Sequence, residues 1–159
     1  MAIRYPKIKD IILAHDDTLK KEDEPGILNF NFLSSTLYFI KNHRVIGDRK
    51  RNIVEKSSIL YRDIILNHPF MDGNKRAAVA SLITFLKLNG YDLKVENQEL
   101  ITFTVETAKG NKDLEDIQNF IESYLKYTYS KYKYGKKCSK KGSKNKRFKG
   151  SRKNRKGKV

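Results

Sequence analysis

His68-Pro69-Phe70-Met71-Asp72-Gly73-Asn74-Lys75-Arg76 lies between two runs of apolar residues at helical spacing. Before it, Asn52 to Asn67 places Ile53, Val54, Ser57, Leu60, Tyr61, Ile64 and Ile65 on one face. After it, Asn74 to Asn89 carries Ala77, Ala78, Leu82, Phe85 and Leu86 as an inner stripe. Val79, Ile83 and Leu88 widen that stripe until the helix has to be buried on most sides. Pro69 disfavours helical geometry at His68, so the first helix stops there, and Asn89-Gly90 stops the second. The stretch is therefore a loop held between regular helices, the setting in which loops carry chemistry.

Working outward, Ile8, Ile11, Ile12, His15 and Leu19 recur at helical spacing as far as the charged run Lys20 to Glu24, which Pro25-Gly26 punctuates. His15 on that apolar face reads as a hydrogen-bonded core histidine. Asn31 to Asn42 reads as a buried helix capped by Asn29 or Asn31, and His43 to Arg51 as an exposed cationic loop or short hairpin. Beyond Gly90, Tyr91 to Val95 alternates and predicts an extended segment. Asn97 can cap a helix ending at Gly110, and Asp113 a last helix carrying Leu114 to Leu125. The fold class expected is all-α, a compact bundle of about six helices with a small flap hairpin or loop.

Charge divides the chain in two. Of the 34 Lys and Arg residues, 15 fall between Lys131 and Val159 with no Asp or Glu, leaving 19 basic against 18 acidic residues before them. The expected organisation is a near-neutral catalytic domain over 1–130 and a disordered Lys/Arg-rich tail over 131–159. Tyr132, Tyr134 and Phe148 interleave with the tail's cations, a pattern suited to RNA, DNA or ribosome contact. Cys138 is the one cysteine, which excludes a disulfide framework and a Cys-based metal site. No apolar run approaches the ~20 residues that span a bilayer, so a cytoplasmic protein without membrane contact is expected.

Each loop residue has a chemical use. His68 can take a proton from a hydroxyl nucleophile near neutral pH. Asp72 suits a hard cation such as Mg²⁺, which is typically held by one or two carboxylates plus phosphate oxygens. Gly73-Asn74 opens a helix, whose free N–H groups and positive dipole end form an anion site. Lys75 and Arg76 add charge at its rim, and arginine grips phosphate bidentately. Together these suggest phosphoryl or nucleotidyl transfer to a hydroxyl. The plainer alternative is turn and cap chemistry, for which Asp, Gly and Asn are the usual residues. A metallohydrolase is disfavoured with three scattered histidines and no HExxH, and the absence of GxxxxGK[ST] excludes a P-loop NTPase.

The loop resembles the Fic/Doc family motif HPFx[DE]GN[GK]R. Ala77-Ala78, Phe85-Leu86, Asn89-Gly90-Tyr91 and Ala108-Lys109-Gly110 resemble its death-on-curing (Doc) branch, the toxins of type II toxin–antitoxin pairs. The likeness is strongest over 60–91, extends from about Ile8 to Leu125, and does not include the tail. It implies ATP with Mg²⁺, His68 as catalytic base, Asp72 as metal ligand, and Gly73 and Asn74 as the phosphate-binding turn. Arg76 would hold the phosphates, with Lys75 beside it. Arg44 to Arg51 would be a flap that aligns the target by strand-like pairing.

AMP-transferring members have Gly after the Asn and a second Arg three residues beyond the first; here those positions are Lys75 and Val79. Doc-type toxins share the present pattern, bind the nucleotide reversed and phosphorylate an elongation factor of the Tu type. The resemblance therefore favours kinase activity over AMP transfer. The family's internal inhibitory motif [ST]xxxE[GN] is missing, since Asp23 follows Thr18…Glu22, which implies a separate antitoxin chain. A competing reading from another class is a polyanion-binding protein that acts through residues 131–159.

Overall fold

Asp48 begins the longest helix among the described residues. Its carboxylate accepts from the Arg51 amide at 2.8 Å, and α3 runs from Arg49 to Asn67. Three cations in a first turn oppose the helix dipole, and the Asp48 cap offsets them. The sequence had placed Arg49–Arg51 in the loop; the cap carries them into the helix, and His43–Asp48 forms no hairpin.

The structure, a computed structural model, describes residues 2–128. The tail expected over 131–159 lies outside the described residues. Besides α3, the helices are α1 (Ile8–Asp16), α2 (Phe30–Asn42), α4 (Asn74–Leu88), α5 (Asn97–Ala108) and α6 (Leu114–Tyr124). Two short strands, β1 (Tyr91–Leu93) and β2 (Leu125–Tyr127), pair antiparallel with Tyr91 opposite Tyr127. The expected all-α bundle of about six helices is what the described residues form, with one small two-stranded sheet beside it.

α3 and α4 lie side by side and antiparallel at the centre. Arg49 at the start of α3 reaches the carbonyl of Asn89, just past the end of α4, at 3.3 Å. Ile53, Leu60, Ile64, Ala77, Ala78 and Phe85 are fully buried between them and their neighbours. The paired alanines let the two backbones approach closely. α1 packs on α4 near the loop, and α6 on α3.

Three boundaries differ from the sequence reading. α1 stops at Asp16 because the Thr18 hydroxyl and amide both turn back to the His15 carbonyl, at 2.7 and 2.8 Å. Leu125 leaves α6 for β2, because the extended segment after Gly90 needs a partner strand. Asn97 is the first residue of α5, with Glu96 at the cap position. The other caps fall where expected: the Asn29 carboxamide accepts from Phe32 and the Asp113 carboxylate from Asp116.

Candidate active site

Pro69 keeps His68 out of the right-handed helical region, and the residue takes φ 45°, ψ 58° as the cap of α3. That left-handed conformation costs a non-glycine residue about 1–2 kcal/mol, a cost seen mostly at functional sites. The imidazole is exposed and makes no hydrogen bond among the described residues.

The chain then dives. Pro69 and Phe70 are buried, and the Phe70 ring stacks on His15 with centroids 3.9 Å apart and planes 6° from parallel. Asn74 closes the turn: its Oδ1 accepts from the Phe70 amide and its Nδ2 donates to the Phe70 carbonyl, both at 2.9 Å. The Asn74 side chain is thus a brace, and what the residue can offer an anion is its backbone N–H.

Gly73 caps α4 at φ 72°. The first intrahelical bond is from the Ala77 amide to the Gly73 carbonyl at 2.8 Å. The N–H groups of Gly73, Asn74, Lys75 and Arg76 have no acceptor among the described residues, and the positive end of α4 faces the same space. A Cβ on Gly73 would add left-handed strain and stand 3.4 Å from Arg76 Nη2 and 3.5 Å from His15 Nε2. Gly73→Ala is expected to cost about 1–2 kcal/mol, read as a lowered urea midpoint at unchanged m-value.

The turn after α1 wraps over this loop. His15, only 1% exposed, donates from Nε2 to the Asp72 carbonyl at 2.9 Å. The Glu24 amide donates to one Asp72 carboxylate oxygen at 3.0 Å, and the other has no partner among the described residues. Arg76 donates to the Thr18 carbonyl at 3.0 Å and to the Asp23 carboxylate at 2.6 Å. The Lys20 amide first, and then Arg76, holds the Asp23 carboxyl below its ordinary value against an opposing desolvation effect. Two of the three guanidinium nitrogens of Arg76 are therefore engaged within the chain, and the exposed ammonium of Lys75 is the freer cation at the rim.

His68, Asp72, Gly73, Asn74, Lys75 and Arg76 all line one cleft of about 860 Å³. Its opposite half is apolar: Val79 and Ile83 of α4 face Leu100, Ile101 and Val105 of α5, with Thr104 and Asn97 as polar points. Sequence periodicity had assigned Val79 and Ile83 to a helix buried on most sides. They are only half-buried, because α5 stands off α4 and leaves the gap. The α5 wall was missed as part of the site; its signal was an apolar stripe too wide for its contacts, with Ile101 57% exposed.

The expected flap lies elsewhere. His43–Asp48 precedes α3, whose 19 residues separate it from His68 by about 28 Å. The extended segment beside His68 is Gly26–Asn29. The Leu28 amide donates to the Pro69 carbonyl at 2.8 Å, the Met71 amide to the Gly26 carbonyl at 3.0 Å, and Ile27 faces Phe70 in an antiparallel bridge. In that pairing the Ile27 N–H and C=O point away from Phe70, and they find no partner among the described residues.

These groups fit a nucleotide phosphate and a hard cation. The amides left without acceptors among the described residues and Lys75 suit the anion, and Asp72 would be the residue to hold a Mg²⁺ beside it. Among the described residues no three His, Cys, Asp or Glu side chains converge into a protein-only metal cage. No helix among them is long and apolar enough to cross a membrane. A model of the Fic/DOC family matches residues 7–86, which run from the start of α1 through most of α4 and include the whole loop. No curated protein matches the chain.

Proposed function

This chain belongs to the Fic/DOC family, and from that premise we propose a Doc-like toxin that transfers the γ-phosphate of ATP to a hydroxyl of a target protein of the elongation factor Tu type. Family members are protein-modifying transferases with a nucleotide as group donor. The observation that carries the reading is the make-up of the cleft: at one end an exposed imidazole, a carboxylate and four amides that have no acceptor among the described residues, and at the other an apolar slot suited to a base.

The residues divide the work as follows. The amides of Gly73 to Arg76 and the Lys75 ammonium bind and orient the phosphates. Asp72 would hold Mg²⁺, which spreads phosphate charge when bound. His68 takes the proton of the target hydroxyl as its oxygen forms a bond to the γ-phosphorus; the bond to the β–γ bridging oxygen breaks and ADP leaves. The Ile27 edge takes the target's extended segment by backbone pairing, which sets its hydroxyl beside His68.

Val79 lies one turn along α4 from Arg76, on the cleft wall, where AMP-transferring relatives carry an arginine. An apolar side chain there offers the outer phosphates no clamp and favours a nucleotide whose γ-phosphate faces the acceptor. Incubation with ATP labelled at the γ or the α position tests this. Label in protein is expected from the γ position alone, whereas transfer from the α position would establish protein adenylylation.

A further inference from the structure

We propose that His15 is a positioning residue for the phosphate site, acting through the Asp72–Gly73 peptide bond; the inference rests on the functional reading above. His15 lies on α1, far in sequence from the loop and outside the cleft lining. Its Nε2 is 2.9 Å from the Asp72 carbonyl oxygen. A carbonyl only accepts, so Nε2 carries the proton. The ring is stacked flat on buried Phe70, so the imidazole has little freedom to tilt.

The consequence follows from peptide geometry. In a planar trans peptide the C=O and the next N–H point in opposite directions. His15 draws the Asp72 carbonyl inward toward the core, so the N–H of Gly73 is aimed outward, into the cleft that Gly73 lines. A hydrogen bond accepted by the carbonyl also polarises the same amide, which strengthens its N–H as a donor. Gly73 at φ 72° is free to swing about this peptide once the restraint is lost, since glycine visits both signs of φ with similar ease. His15 therefore selects one of two orientations of the first amide of the anion site. It never meets the nucleotide itself.

The test uses the full chain with amide-resolved NMR and calorimetry, and pyrophosphate, ATP and adenosine as probes. In the wild type, pyrophosphate is expected to shift the Gly73 amide resonance. His15→Phe keeps the stacked ring and removes the donor; that shift should vanish and ATP affinity fall about tenfold, the scale of one hydrogen bond to a charged group. Adenosine affinity should stay unchanged. His15→Gln, which restores an N–H donor, should recover both signals, a rescue that a purely space-filling role would not give. The inference is overturned if His15→Phe binds ATP like the wild type with the Gly73 amide still responding. Should that variant not fold, a wild-type Gly73 amide that pyrophosphate leaves unmoved overturns it equally. A wild type that binds neither ATP nor pyrophosphate removes the functional reading itself, a failure recognisable before any variant is made.

Discussion

Transfer to the target hydroxyl falls by about 10²–10⁴-fold in His68→Ala, the range for loss of a positioned general base, while ATP affinity and melting temperature stay at wild-type values. The separation comes from where the side chain sits. Its imidazole is exposed and bonded to nothing among the described residues, so truncation removes no packing and orphans no buried group. Surface truncations of that kind stay within about 0.5 kcal/mol. Pro69 bars right-handed helical geometry at position 68 in wild type and variant alike, so α3 stops at the same place in both. On the proposed function ATP binding rests on the amides of α4 and the apolar wall of α5, neither of which the substitution touches. Titration of ATP into the variant, beside a transfer assay with γ-labelled ATP, distinguishes loss of chemistry from loss of binding. Transfer at the wild-type rate would sink the assignment of His68 as base.

The part of this site that was legible in the sequence is the part contiguous in it. His68 to Arg76 are neighbours along the chain, so a helix stop, a turn and a helix start could be read directly and the six candidate residues fall in one cleft. What surrounds them comes from elsewhere and had no local signal. Arg76 reads as a free phosphate clamp until α1 is seen to end early and deliver Thr18 and Asp23 to its guanidinium. His15 reads as an ordinary core histidine, and it is buried; only its partner, a carbonyl far along the chain, gives it a further use. The cleft's apolar half needs α5 to stand away from α4, a distance that periodicity cannot express. The edge beside His68 was sought in the turn-rich cationic run before α3. It is found in Gly26–Asn29, whose pairing with Pro69–Met71 is a tertiary event.

Phe70→Ala is expected to reverse the pattern of its neighbour two residues earlier, destabilising the whole domain by about 3–5 kcal/mol. The ring is fully buried and is among the largest side chains wholly removed from solvent. Its loss leaves a cavity under the loop and exposes one face of His15, forfeiting a stacked contact worth about 0.5–1.5 kcal/mol beyond area. Against a typical domain stability of about 5–15 kcal/mol, that is a large fraction, and a fall in melting temperature of about 10 °C or more should accompany it. Phe70→Leu keeps most of the volume and should cost under about 1.5 kcal/mol. Urea unfolding of the two variants measures both values. The pair also tests how the loop is held. Asn74 grips the backbone of Phe70 on both sides, so the ring and the helix start are one mechanical unit. If the ring is the pin, Phe70→Ala loses ATP binding even well below its melting temperature, because the amides of Gly73 and Asn74 lose their fixed direction. If Phe70→Ala costs less than about 1 kcal/mol and binds ATP normally, the loop is held by its hydrogen bonds alone. The burial of Phe70 would then be packing without consequence for the site.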